Sequence, residues 1–115
     1  MVESQVLDKL EIPEGIKKIL RDFIVKAKES LGDVEIYLFG SYARGDWLRD
    51  SDIDLIIIST LFKDLDMGKR YRIVRELLPT EISVELLLYT PEEFERIKKK
   101  SIILQDVIEY WIKLL

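Results

Sequence analysis

Apolar side chains recur at every third or fourth position between residues 14 and 31, which puts them on one face of a helix. Pro13 suits the start of this helix, at or just before the first turn, and Gly32 suits its end. The recurring positions are Ile16, Ile19, Leu20, Phe23, Ile24, Ala27 and Leu31. We therefore predict a long amphipathic helix, preceded over residues 1–13 by a short helical or irregular lead-in.

Three segments are predicted as strands because they are rich in β-branched, aliphatic and aromatic side chains: residues 34–39, 52–59 and 81–90. In the second, residues 55–58 are all apolar, which is typical of an inner strand covered on both faces. The first half of the third alternates, with Ile82, Val84 and Leu86 on one face and Glu81, Ser83 and Glu85 on the other.

The remaining segments favour helices. Thr90, Pro91 and Glu93 form the pattern of a capping box with proline at the first helical position. Pro79 should end an earlier helix, which lies within residues 61–78. The predicted helical segments are a turn at 41–44 closed by Gly45, a helix within 61–78, one beginning near 91 and one at 102–115. The side chains expected to pack are Tyr71, Ile73, Val74, Leu77 and Leu78, and in the last helix Ile103, Val107, Tyr110, Trp111 and Leu114.

This order of elements predicts a single domain over residues 1–115. Its expected class is α/β (α+β), a two-layer sandwich in which a small mixed sheet is flanked by helices. The length of 115 residues, with 48% hydrophobic and 35% charged residues, suits one soluble globular domain.

Composition narrows the chemistry. The chain has neither cysteine nor histidine, which excludes disulfides, thiolate metal sites, a cysteine nucleophile and a serine–histidine triad. The net charge of −4 argues against strong nucleic-acid binding, and the basic clusters at 69–75 and 98–100 are expected to be solvated helix faces. No long apolar run or secretory signal is present, so we expect a cytoplasmic protein with no membrane contact.

The first candidate site is the Gly40-Ser41 step, where a predicted strand runs into a helical turn. Glycine lets a phosphate approach the backbone closely, and the amides at the start of a helix bind anions. The Ser41 hydroxyl adds a hydrogen-bond donor. Arg44 and Arg49 are candidates to bind the phosphates of a nucleoside triphosphate at this step. Each arginine could instead form a surface ion pair with a nearby aspartate.

Asp52 and Asp54 form the second candidate site. Residues two apart on a strand share a face, so these carboxylates should lie side by side and repel each other unless a cation binds between them. Their oxygen atoms suit Mg²⁺ or Mn²⁺, and two such ions can stabilise phosphoryl transfer. Glu85 is the candidate third carboxylate, with Glu81 as the alternative on the same predicted face.

The complete pattern resembles the DNA polymerase beta-like nucleotidyltransferase superfamily, and in particular its minimal nucleotidyltransferase branch. The resemblance rests on Gly-Ser, ten residues and then Asp-x-Asp, within the blocks Gly-Ser-x-Ala-Arg-Gly and Ser-Asp-Ile-Asp-Leu. The strong match covers residues 40–58, and a weaker match in element order covers most of the chain. It implies that Asp52 and Asp54 bind metal and that Gly40 and Ser41 hold the triphosphate of ATP.

The same resemblance implies that Glu85 is a third ligand or base, although the family more commonly has aspartate there. Members of this branch often pair with a helical HEPN-type protein, and some act as antitoxins that transfer AMP from ATP to a tyrosine of that partner. The resemblance therefore implies a magnesium-dependent nucleotidyltransferase that acts with such a partner.

Two other functions are compatible with the sequence. The domain is short, so it could neutralise a partner as an inactive interaction module. A polymerase or end-tailing enzyme fits less well, because the chain is acidic and too short for a template channel. The sequence is also compatible with a homo-oligomer.

Overall fold

The computed structural model describes residues 2–115, with side chains from residue 6 onward, so Met1 of the predicted lead-in and domain lies outside it. The helices are α1 (Val2–Lys9), α2 (Glu14–Leu31), α3 (Ser41–Arg44), α4 (Met67–Arg75), α5 (Pro91–Lys98) and α6 (Ile102–Ile108), with a 3₁₀ turn at Thr60–Phe62. The strands are β1 (Val34–Phe39), β2 (Ile53–Ser59), β3 (Val84–Tyr89) and β4 (Ile112–Lys113).

The four strands form one mixed sheet in the order β3-β2-β1-β4. β1 is antiparallel to both β2 and β4, whereas β2 and β3 are parallel and are joined by the segment that contains α4. The predicted class, a small mixed sheet flanked by helices, is confirmed. The parallel pairing matters for the site, because it starts β2 and β3 at the same edge of the sheet.

Alternation along β2 divides its side chains between two hydrophobic clusters. Ile53, Leu55 and Ile57 pack on one face with α1, α2 and α4, whereas Ile56 and Ile58 pack on the other with α5 and α6. The prediction that β2 is covered on both faces is therefore confirmed. Asp54 shares the parity of Ile56 and lies at the beginning of this second face.

The predicted amphipathic helix over 102–115 is wrong in its second half. α6 ends at Ile108, and Ile112–Lys113 pairs with β1 instead. The backbone of Leu114 donates to the Ile36 carbonyl at 2.8 Å, so pairing with the edge of β1 outweighs helix continuation. Ile103, expected to pack, is 73% exposed.

Two further boundaries differ from the predictions. The third strand begins at Val84 rather than residue 81, and the second begins at Ile53, so Asp52 precedes it. Tyr71, on the apolar face predicted for the helix within residues 61–78, was expected to pack but is 46% exposed.

Among the described residues, no helix combines the length and the apolar character needed to cross a membrane.

Candidate functional site

Gly40 ends β1 in a conformation that favours glycine, with φ +74°, and α3 follows directly. The turn closes at Gly45, whose φ is +91° and whose amide donates to the Ser41 carbonyl at 2.9 Å. Ser41 is therefore the first residue of a helical turn, as predicted, and the first amides of such a turn lack intrahelical acceptors.

The Gly-Ser step and the Asp-x-Asp motif are in direct contact. Phe39 pairs with Asp54 across the antiparallel strands, which brings the next residue, Gly40, against the Asp54 side chain. A Cβ atom on Gly40 would lie 1.8 Å from Asp54 Oδ2, far inside contact distance. No side chain can occupy position 40 while Asp54 keeps this orientation, so the two motifs form one site.

Glu85 is the neighbour of Asp54 on the parallel strand. The register pairs Asp54 with Glu85, which places their side chains on the same face of the sheet. Asp54 is partly buried, whereas Asp52 and Glu85 are exposed. The structure thus brings the three predicted carboxylates to the edge where β2 and β3 begin.

The electrostatics of this cluster are unfavourable for a charged Asp54. Burial raises the pKa of the Asp54 carboxyl from 3.8 to about 6, the negative charges of Glu85 and Asp52 add to the rise, and the Arg44 guanidinium partly opposes it. A carboxylate destabilised in this way is a group whose charge a bound cation would stabilise.

The donor set fits a hard divalent cation, because every donor is a carboxylate oxygen. Among the side chains of residues 6–115, however, no three acidic groups already converge as a metal-binding group. Asp52 and Glu85 are exposed and could close around an ion beside Asp54.

Arg44 lies at this site. Of its two predicted contacts, a bound triphosphate and a surface ion pair with an aspartate, the structure shows the ion pair. Its Nε donates to Asp46 at 3.1 Å, so the surface ion pair exists. The positive charge of the same side chain also lowers the pKa of Asp54. The ion pair therefore does not remove Arg44 from the site.

Tyr110 is the residue of this site that the sequence analysis missed, since it was predicted only to pack. Its hydroxyl oxygen accepts from the Gly40 amide at 3.2 Å and from Arg44 Nη1 at 3.1 Å. The Arg44 guanidinium also lies over the Tyr110 ring, 5.5 Å from its centroid. No local pattern signals a contact between residues so far apart in the chain.

The other two candidates are Arg49 and Glu81. Arg49 is exposed and lines a groove of about 440 Å³ with Pro13, Ile16 and Tyr42. Glu81 precedes β3 and accepts a hydrogen bond from the Thr80 hydroxyl at 3.0 Å. Glu85, and not Glu81, is therefore the acid paired with Asp54.

Comparison with known proteins places these features among nucleotidyltransferases. The profile of the family described as "Nucleotidyltransferase domain" matches residues 14–110. Two Methanocaldococcus jannaschii proteins named as candidate protein adenylyltransferases are 37% identical over 67 residues and 43% identical over 49 residues. These matches cover 55% and 43% of this chain but only 44% and 48% of the relatives, so the chain matches less than half of their length.

Solved structures give a consistent picture. The nucleotidyltransferase structure from Sulfolobus solfataricus has a TM-score of 0.58 at 23% identity, over 84% of this chain and 80% of that one, and shows the fold alone. The structure of a toxin–antitoxin with AMP-PNP has a TM-score of 0.58 at 27% identity, over 81% of this chain and 70% of that one. A mutant of the toxin–antitoxin MntA–HpeT has a TM-score of 0.56 at 25% identity, over 80% and 69%.

Proposed function

This chain belongs to the nucleotidyltransferase domain family, as its resemblance to the minimal branch predicted, and we propose that it transfers AMP from ATP to a hydroxyl group of a protein. The observation that carries the proposal is the contact between Gly40 and Asp54, which joins a phosphate-binding turn to the carboxylate cluster. The names of the two archaeal relatives and of the AMP-PNP complex support adenylyl transfer.

In the proposed reaction, Gly40 and Ser41 hold the β- and γ-phosphates: Gly40 lets them approach the backbone closely, and the Ser41 amide and hydroxyl donate to them. Arg44 adds positive charge beside them. Asp52 and Asp54 would hold one or two Mg²⁺ ions, or Mn²⁺, with Glu85 as a further ligand. When bound, these ions would neutralise phosphate charge and orient the oxygen atoms on either side of the α-phosphorus.

The bond changes are those of a single displacement. The acceptor hydroxyl oxygen forms a bond to the α-phosphorus, and the bond from that phosphorus to the bridging oxygen of pyrophosphate breaks. The acceptor proton passes to a carboxylate, for which Glu85 is our candidate because it is exposed beside Asp54. AMP remains on the acceptor, and pyrophosphate leaves.

The proposed acceptor is a tyrosine of a HEPN-type partner protein, so that the chain acts as an antitoxin in the cytoplasm. Support comes from the two toxin–antitoxin structures to which this chain is similar.

Label transfer tests the proposal. Purified protein is incubated with Mg²⁺ and α-labelled ATP in a lysate of its own cells, beside Asp52→Asn/Asp54→Asn and the control Asp106→Asn, an exposed aspartate on α6. We expect one labelled protein band with the wild type and the control and none with the double variant.

The acceptor class and the rival function follow from the same experiment. A labelled RNA band would replace the protein acceptor by a nucleic acid. If the double variant still binds and inhibits the partner without any nucleotide, the chain acts as an interaction module and the proposed catalysis is wrong.

A further inference from the structure

The hydroxyl of Tyr110 is held by two donors that belong to the proposed phosphate site. The Gly40 amide donates to it at 3.2 Å and Arg44 Nη1 at 3.1 Å. Tyr110 follows α6 and precedes β4, so it reaches the site from the C-terminal segment. The site is therefore built from three parts of the chain: the Gly-Ser turn, the strand carboxylates and Tyr110.

The proton of this hydroxyl remains available to a ligand. A phenol oxygen has one proton to donate and can accept hydrogen bonds through its lone pairs. Gly40 and Arg44 use the oxygen as an acceptor, and among the side chains of residues 6–115 the structure shows no acceptor for the Tyr110 O–H. Because one donor is cationic, the O–H is polarised toward a negatively charged acceptor.

Arg44 can keep this contact and still reach the same ligand. Its Nε is directed at Asp46 and its Nη1 at Tyr110, which leaves donors of the guanidinium for an anion. Arg44 and Tyr110 thus present two kinds of donor on one side of the Gly40 backbone.

The packing of the C-terminal segment fixes the position of the hydroxyl. The Tyr110 ring packs against the hydrophobic cluster under α5 and α6. The next residue, Trp111, stacks on Tyr37 with ring centroids 3.8 Å apart, and β4 then pairs with β1. A donor held in this way loses little conformational entropy when a ligand binds.

We propose that Tyr110 is a phosphate-binding residue, whose hydroxyl donates to a phosphate oxygen of the bound nucleoside triphosphate while Gly40 and Arg44 hold it in place. The proposal rests on the nucleotide site of the proposed function. It adds a specific phosphate contact from the C-terminal segment, outside the Gly-Ser and Asp-x-Asp motifs.

Equilibrium binding of magnesium ATP and of magnesium tripolyphosphate by calorimetry tests this role. Tyr110→Phe keeps the ring, its packing and the position of the Arg44 guanidinium over it, and removes the hydroxyl with its hydrogen bonds to Gly40 and Arg44. We expect both ligands to bind about 10-fold more weakly, as for one lost hydrogen bond to a charged group. Tyr71→Phe, on the exposed face of α4, should bind both as the wild type does. Thermal unfolding of each variant checks the fold.

A second pair of variants separates a direct contact from an effect through Arg44. In the background of Arg44→Gln, the Tyr110→Phe substitution should still weaken tripolyphosphate binding by a similar factor. If the loss disappears in that background, Tyr110 acts only by orienting Arg44 and the proposed contact is wrong. Unchanged or tighter binding by Tyr110→Phe alone would also overturn it, since a hydroxyl that competes with phosphate gives tighter binding.

The outcomes for this proposal and for the enzymatic function are distinct. If the wild type binds ATP in a Tyr110-dependent manner but transfers no label, the phosphate contact stands and the transferase proposal fails. If label is transferred and Tyr110→Phe binds normally, only the phosphate contact fails. If the wild type binds neither ligand, both fail.

Discussion

Two carboxylates, one on β2 and one at the start of α5, have pKa values shifted in opposite directions. Hydrogen bonding to the buried Arg70 guanidinium, joined by the Thr90 amide, lowers the pKa of Glu93 from 4.5 to about 2, against a smaller opposing effect of burial. Burial and the nearby Glu85 and Asp52 charges raise the pKa of Asp54 to about 6. Glu93 has its compensating positive charge within the fold, whereas Asp54 lacks most of such compensation.

The ion pair between Arg70 and Glu93, which we call the satisfied pair, links α4 to α5 beside the sheet. Arg70 Nη1 and Nη2 donate to the two Glu93 carboxylate oxygens at 2.6 and 3.0 Å, and Arg70 also donates to the carbonyls of Leu65 and Leu88. The difference indicates that the Arg70–Glu93 pair serves the stability of the fold, whereas the charge around Asp54 is left for a ligand.

The largest effect is expected from breaking the satisfied pair. Arg70→Met keeps the aliphatic stem but leaves the Leu65 and Leu88 carbonyls without their donor and removes the two guanidinium donors of Glu93. We expect the free energy of unfolding to fall by about 4 kcal/mol, as for other broken buried pairs. Urea denaturation measures this, with Lys98→Met as the control.

Lys98 forms an exposed ion pair with Glu95 at 2.8 Å, and its loss should change stability by less than about 0.5 kcal/mol. Equal effects of Arg70→Met and Lys98→Met would show that the buried pair is no more important than a surface one.

A smaller loss is expected from a methyl group at Gly40. Gly40→Ala would combine a left-handed backbone with a Cβ at 1.8 Å from Asp54 Oδ2, so we expect a loss of about 3 kcal/mol and of label transfer. Gly45 also has positive φ, but nothing lies within 4 Å of a Cβ there. Gly45→Ala should therefore cost about 1 kcal/mol. If both variants lose the same stability, the contact with Asp54 is not what requires glycine at position 40.

Removing the negative charge of Asp54, which the fold compensates only in part, should stabilise the protein. The pKa of Asp54 is higher in the folded than in the unfolded protein, so its ionisation opposes folding above about pH 6 and has no such effect below about pH 4. Asp54→Asn should raise the free energy of unfolding at pH 7.5 by about 1 kcal/mol, a value discounted for solvent screening. The gain should vanish at pH 4, where the wild-type carboxyl is already largely neutral.

Metal-free protein in the presence of a chelator is the sample for this measurement, with Asp106→Asn as the control for the loss of an acidic residue. A lower stability of Asp54→Asn at pH 7.5 would contradict the account of the cluster, because it would mean that the charged form is stabilised by the fold.

The sequence predicted each of these regions only in part, and for the same reason. The capping box identified Glu93 from Thr90, which lies three residues away, and both hydrogen bonds are present. Its other partner, Arg70, was assigned to a solvated helix face, yet it is 5% exposed. Contacts within one turn are encoded by spacing, whereas a pairing between α4 and α5 depends on how the helices pack.

The candidate site follows the same division. Gly40, Ser41, Asp52 and Asp54 were found because the motif places them at fixed intervals around one strand–turn–strand unit. Tyr110 was missed because the last helix was extended through a segment where hydrogen bonds to β1 prevail. The alternation of apolar and polar residues in the third strand did indicate Glu85 as a candidate, because successive side chains along a strand point to opposite faces of the sheet.

The smallest effect, and the one that tests the comparison most directly, is stabilisation by magnesium. A cation that binds the Asp54 cluster in the folded state should raise the free energy of unfolding, by about 1 kcal/mol at a concentration several times its Kd. The Arg70–Glu93 pair should be indifferent to it. Thermal unfolding in MgCl₂ is compared with NaCl of equal ionic strength, for the wild type and for Asp52→Asn/Asp54→Asn. We expect an increase in the wild type at pH 8 that shrinks toward pH 6, as protons compete for Asp54, and no increase in the double variant. An equal magnesium effect in both proteins would place the ion elsewhere, and Asp54 would then be an uncompensated charge for which the fold offers no ligand.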